Sequence, residues 1–197
     1  MLFGNNTNTL DNATAILNEL NIEMELSASL KTLAAADARY LRDLKINITN
    51  ALNAESLGKK DAYLIGLSIA ANEKVEPLQK AFEALALQSG ATDKEVAEVI
   101  SCTSLMNANN VYYRFRHFMN EEFYNTAQAG IRMSIMAAPV VGKELFELVS
   151  LVVSAVNGCE MCVTSHEKAL IGHGTPKHRI HAAVRLGAVV KSLAVLL

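Results

Sequence analysis

The sequence predicts an all-α fold, a helical bundle containing an internally duplicated helical unit. Ala and Leu are abundant, while there are only three prolines and no tryptophan, a composition that favours helix. Apolar residues recur at the 3.6-residue spacing of an amphipathic helix through most of the chain. A constant, gapless offset of 84 residues also sets Leu64 on Leu148, Leu67 on Leu151, Ala71 on Ala155, Glu83 on Glu167 and Gly90 on Gly174. The expected layout is an extension over 1–23 and one helical domain over 24–197, with repeat halves at about 61–118 and 145–197.

The Asn/Thr-rich start predicts a flexible lead into a short helix from about Asp11 to Leu20, with Leu10, Ile16, Leu17 and Leu20 as its apolar stripe. A long helix is expected from about Ala28 to Leu52, carrying Leu30, Leu33, Ala34, Leu41, Leu44 and Ile48 and packing across the bundle. From Asp61 the first repeat begins, and the helix from about Thr92 to Phe118 closes it. That helix ends in Tyr112-Tyr113-Arg114-Phe115-Arg116-His117-Phe118. The cations there suit a helix C-terminus and the aromatics suit a core or a subunit contact. After Pro176 a final helix runs toward Leu197 with Ile180, Ala183, Val184, Val190 and Leu193 inward.

Charge and length exclude several classes. With 51% hydrophobic and 19% charged residues and a net charge of −2, the chain has no overall basic field for nucleic acid or anionic lipid. No stretch reaches the roughly 20 apolar residues of a membrane helix, and the N-terminus lacks the pattern of an export signal. Three cysteines, two of them at Cys-x-x-Cys spacing, suit a redox pair in a reducing compartment better than a secreted disulfide framework. A cytoplasmic protein is expected, with Cys102 as a buried small hydrophobe.

The chemistry concentrates in Asn157-Gly158-Cys159-Glu160-Met161-Cys162-Val163-Thr164-Ser165-His166-Glu167. If Asn157-Gly158 ends one helix, Cys159 falls in the first turn of the next, where free N–H groups and the helix dipole favour a thiolate. Cys159 and Cys162 are i and i+3, and Cys162 and His166 are i and i+4, so all three can share a face. Upstream, Glu147 interrupts an apolar run. In an antiparallel pair reversing at Gly158, Glu147 lies roughly 16 Å before the bend and His166 roughly 12 Å after it, nearly level. Glu147 is then a candidate proton store or relay. Ser150 and Ser154, on its face, are expected to let the cysteine-bearing helix approach closely. In the first repeat the same offset places Tyr63, Val75, Leu78 and Phe82 at the positions of Glu147, Cys159, Cys162 and His166, which assigns chemistry to the second repeat alone.

The segment FELVSLVVSAVNGCEMCVTSHEKAL closely resembles the active-site segment of the alkyl hydroperoxidase D (AhpD) family, whose pattern is a Glu, a twelve-residue step to the first Cys, then Cys-x-x-Cys-x-x-x-His. Met106 to Arg116 and Gly130-Ile131-Arg132-Met133-Ser134 resemble two further signatures, so the likeness runs from about Glu25 to the C-terminus. One position departs: many members carry a His before the second Cys, where this chain has Met161. The resemblance implies an AhpD-like bundle in a homo-oligomer, often a trimer, and a thiol-dependent alkyl hydroperoxide and disulfide reductase. By the same resemblance Cys162 attacks the hydroperoxide and becomes a sulfenic acid, Cys159 resolves it as a disulfide, and His166 and Glu147 move the protons. It further implies no bound cofactor, a lipoyl-type dithiol on a dehydrogenase component as reductant, and a peroxiredoxin partner met through Cys159.

Two other readings belong to different classes. A zinc-binding helical module would use Cys159, Cys162, His166 and His173, although these lack the usual finger spacing. A relative of the carboxymuconolactone decarboxylases would share the helical fold without needing a redox cysteine pair. His173, His178 and His181 otherwise fit loop or surface histidines.

Overall fold

The computed structural model describes residues 6–197, and among them ten α-helices, one 3-10 turn and no strand. The helices are α1 (Asn6–Glu19), α2 (Ala28–Ala35), α3 (Tyr40–Leu52), α4 (Lys59–Glu73), α5 (Glu76–Gln88), α6 (Asp93–Met119), α7 (Glu122–Thr126), α8 (Lys143–Val156), α9 (Glu160–Gly172) and α10 (Lys177–Ala194). The 3-10 turn, Ser134–Met136, lies in the segment between α7 and α8.

Two helices form the centre because their sequences leave them no polar face. In α4 every residue from Leu64 to Ala70 is buried, and in α8 only Glu147 interrupts the buried run from Leu145 to Ser154. A helix apolar all round must be enclosed. Accordingly α4 and α8 pack on each other, and each also packs on both α6 and α10. Hairpin partners α5 and α9 close the outer sides, while α3 covers α10 and α1 lies on α2 and α3.

The 84-residue offset recurs in the local geometry. Helices α4, α5 and α6 begin at 59, 76 and 93, and α8, α9 and α10 at 143, 160 and 177. The α4–α5 turn places Lys74 at φ 59° with Val75 N donating to Ala70 O; the α8–α9 turn places Gly158 at φ 70° with Cys159 N donating to Ser154 O. Both are the same left-handed C-terminal stop, in which two N–H groups cap the last turn. An ion pair is also repeated with its signs exchanged. Lys60 Nζ meets Glu95 Oε1 at 2.8 Å, and at the equivalent positions Glu144 Oε1 meets Arg179 Nε at 3.1 Å. Arg179 reaches Asp61 as well, at 2.6 Å, and the carbonyls of Ser56 and Leu57, tying the α3–α4 loop to α10.

Several sequence expectations change. The flexible lead falls partly on 1–5, outside the described residues, but Asn6 to Leu10 are helical. Thr9, Ala13, Ile16, Leu17 and Leu20 form the buried stripe there, and Leu10 is 50% exposed. Packing of that stripe outweighs the weak helix propensity of Asn and Thr. The helix expected over 28–52 is two, broken at Asp37, which takes φ 51° while Thr9 Oγ1 donates to its Oδ1. Asp tolerates this left-handed conformation better than most residues. Among the last-helix positions, Val184 is only half-buried.

Candidate active site

The turn between α8 and α9 is held by amides from three helices. Asn157 exchanges bonds with Asn72 of α4, at 3.0 and 3.3 Å, and donates to Asn110 Oδ1 of α6 at 3.0 Å. Arg114 Nη1 of α6 donates to the Asn157 carbonyl at 2.6 Å. Asn110 Nδ2 in turn donates to Ser154 Oγ at 2.8 Å, and Ser150 Oγ lies 3.3 Å from Cys102 Sγ. The two serines therefore face α6 and its polar groups, not the cysteine-bearing helix as expected from the sequence.

This lock fixes Cys159 as the N-cap of α9, one position before the first turn. Its sulfur receives Cys162 N–H at 3.4 Å. The two sulfurs are joined as a disulfide across Cα atoms 5.3 Å apart. Cys159 is fully enclosed, whereas Cys162, at 6% exposure, lines a pocket. A thiolate at Cys159 would gain from the backbone N–H and the positive end of α9.

Antiparallel α8 and α9 bring Glu147 level with His166, as the residue counting expected. His166 Nδ1 lies 2.7 Å from Glu147 Oε2, with both side chains largely shielded from solvent. With a carboxylate as acceptor the ring hydrogen sits on Nδ1, leaving Nε2 as the basic atom. His166 and Cys162 line the same pocket of about 320 Å³, together with Asn109, Tyr113, Met133, Met136, Met161 and Ser165. Three thioethers and the Tyr113 ring supply its apolar wall, and the Cys162 sulfur, the His166 imidazole, the Asn109 amide and the Tyr113 and Ser165 hydroxyls its polar groups. Such a site can activate a sulfur beside a base while excluding bulk water from the reacting atoms.

The chain is similar to known proteins over most of its length. Over 167 residues it is 37% identical to an alkyl hydroperoxide reductase AhpD of Rhizorhabdus wittichii, covering 84% of this chain and 95% of the relative. It is 39% identical over 158 residues to the AhpD of Beijerinckia indica, covering 80% and 87% of the two chains. The AhpD of Anaeromyxobacter dehalogenans is 36% identical over 170 residues, covering 86% and 91%. The chain belongs to the AhpD family. A model of the carboxymuconolactone decarboxylase family also matches residues 124–196, the part that contains the second helical hairpin. Within the AhpD frame, Met161 contributes a thioether to the pocket wall at the position where many members carry imidazole.

The remaining histidines stay apart from the thiols. His173 caps the far end of α9, roughly 20 Å from Cys159 at ~1.5 Å per residue, so Cys159, Cys162, His166 and His173 do not converge on a metal. Among the described residues no group of three or more His, Cys, Asp or Glu is arranged to hold one. His178 and His181 are exposed on α10. Cys102 is buried as expected, and burial pushes its thiol up to about 12, with Glu147 and Glu98 adding to the rise against the opposing Ser150 hydrogen bond.

The aromatic end of α6 departs from a core role: Phe115 is 43% and Phe118 74% exposed, and Phe123 of α7 73%. Arg116 lies 5.8 Å from the ring centroids of both Tyr112 and Tyr113. Sequence reasoning about the chemistry missed Asn109, Tyr113, Met133 and Met136. The signal for Asn109, Tyr113 and Met133 lay in the two further segments carrying the family resemblance; Met136 lies two residues beyond the second of them.

Proposed function

We propose that the protein is a thiol-dependent alkyl hydroperoxide reductase that works through Cys162, Cys159, His166 and Glu147. The observation that carries this is the asymmetry of the pair: Cys162 opens onto an apolar pocket beside His166, and Cys159 lies enclosed behind it. In the reduced protein His166 takes the Cys162 proton, with Glu147 stabilising the imidazolium. The Cys162 thiolate attacks the terminal oxygen of R–O–O–H; an S–O bond forms, the O–O bond breaks, and the departing alkoxide takes the proton from His166. Cys159 then attacks the sulfenic sulfur, releasing hydroxide that leaves as water, and the disulfide forms.

Two electrons must return from outside. A dithiol of the lipoyl class suits the family: its thiolate attacks Cys162, the sulfur on the pocket, and Cys159 leaves as a thiolate favoured by its N-cap position. The second thiol of the donor then displaces Cys162 and closes the donor's own disulfide. Transfer to a peroxiredoxin through Cys159, as the family resemblance implies, requires the first turn of α9 to open. Exposed Val111, Phe115, Phe118, Met119 and Phe123 support a homo-oligomer. No described helix is long and apolar enough to cross a membrane, and a reducing cytoplasm suits the chemistry. A decarboxylase has no use for the Cys159–Cys162 pair. The deciding experiment incubates reduced protein with cumene hydroperoxide, maps the resulting disulfide by mass spectrometry, and asks whether dihydrolipoamide or a thioredoxin-type donor restores the thiols. Peroxide consumption without a Cys159–Cys162 disulfide would refute the assignment.

A further inference from the structure

One residue lining the pocket beside Cys162 carries a buried polar atom that no described group satisfies. Asn109 lines that pocket from α6, is 5% exposed, and has no hydrogen-bond partner for Oδ1 among the described residues. Its orientation is not arbitrary. Met133 Sδ can only accept, so the NH2 end of Asn109 faces it at 3.3 Å and the carbonyl oxygen turns elsewhere. The adjacent Asn110 makes a useful contrast, since its Nδ2 donates to Ser154 and its Oδ1 accepts from Asn157. Buried amides of native proteins find partners, and an orphan among them marks a place that something else completes.

We infer that Asn109 Oδ1 accepts the hydrogen bond of the substrate's O–O–H group and holds the terminal oxygen beside Cys162, an inference that rests on the peroxidase reading. A hydroperoxide has one donor hydrogen, and it sits on the oxygen that the thiolate attacks. During the reaction that hydrogen stays in place: the terminal oxygen gains its bond to sulfur, loses its bond to the alkoxy oxygen, and becomes the hydroxyl of the sulfenic acid. Asn109 thus serves substrate and first product with one bond. The R group is left to Met133, Met136, Met161 and Tyr113. Thioethers adapt to irregular apolar shapes, so the site takes bulky alkyl and aralkyl hydroperoxides. A dialkyl peroxide lacks the donor and leaves the acceptor unpaired, which is the situation in which a polar site discriminates most strongly.

Asn109→Leu keeps approximate size and removes the acceptor. In steady-state assays with cumene hydroperoxide it should raise KM at least tenfold, and Asn109→Asp, which restores an oxygen there, should recover part of the loss. Thermal melting of Asn109→Leu should equal or exceed that of the parent, because an unpaired buried acceptor is gone; a residue important only to the fold would lower it. A parent-like KM in the leucine variant overturns the inference while leaving the peroxidase reading intact. A parent protein that consumes no hydroperoxide overturns both. If leucine is not accommodated, Asn109→Ala carries the same comparison.

Discussion

Tyr63 and Phe82 stand with ring centroids 6.4 Å apart at the two positions whose equivalents, 84 residues on, are Glu147 and His166. The backbone around them is alike: matched helix starts, the same left-handed turn, and N-cap dihedrals of −94° and 93° at Val75 against −96° and 92° at Cys159. In the first hairpin the space is filled by rings, and a Cβ on Gly66 would come within 2.5 Å of Phe82, so only glycine fits beneath it. Packing alone is met by two aromatics. The acid–imidazole pair 2.7 Å apart in the second hairpin therefore stands where packing alone does not require it, which supports the proton-moving role proposed for it.

The first expectation concerns that pair. His166→Ala should slow peroxide turnover by ~10²-fold or more, the usual weight of a positioned base, and should raise the pH at which Cys162 alkylates. Glu147→Gln keeps a carbonyl for Nδ1–H but loses the charge, so its effect should be smaller, about tenfold. Rates of iodoacetamide labelling against pH check both. An unshifted profile in His166→Ala would remove the imidazole from the mechanism.

The sulfurs can be assigned separately. Cys162→Ser should abolish hydroperoxide consumption, whereas Cys159→Ser should still form a sulfenic acid on Cys162 and stall there. Dimedone trapping with peptide mapping reads the position of the adduct. A stable adduct on Cys159 in the reciprocal variant would reverse the roles.

The repeated turn offers a stability comparison. Lys74 occupies at φ 59° the place held by Gly158 at φ 70°, and a side chain in the left-handed region costs about 1 kcal/mol that glycine avoids. Lys74→Gly should therefore stabilise the fold by about 1 kcal/mol, a rise of roughly 2–4 °C in Tm for a chain of this size. Gly158→Ala should have the opposite sign. Calorimetry of the two variants is sufficient, and a destabilised Lys74→Gly would show that the turn is held by other forces.

Cys102 supplies a pH dependence. Its thiol is raised from 9.0 to about 12 in the fold, so the unfolded chain releases this proton first. The contribution is fully present below about 9 and is lost as pH rises toward about 12. Cys102→Val should flatten the alkaline decline of stability over that window in urea titrations. In the native protein at pH 8, Cys102 should resist alkylation even when Cys159 and Cys162 are reduced.

Much of this was legible in the residues. Glu147, Cys159, Cys162 and His166 could be placed together because their spacings follow from one rise per residue and one reversal at Gly158. The break at Asp37 was hidden, since it depends on Thr9, a residue distant in sequence that reaches its carboxylate. Ser150 and Ser154 were on the expected face of α8, but which helix that face meets is decided by how the hairpins cross. For the same reason Asn109 could not be singled out: Met133 comes to it from a loop 24 residues further along, and no local pattern announces such a meeting.

The cysteine bridge spans only the first turn of one helix. A loop so short restricts the denatured chain less than the long loops that staple small secreted proteins, and α9 is already anchored by Leu170 and by the Asn157 clasp. Heat tolerance should consequently be almost indifferent to whether the bridge is open or closed. In the proposed cycle the molecule can surrender and recover this bond without its architecture being wagered each time.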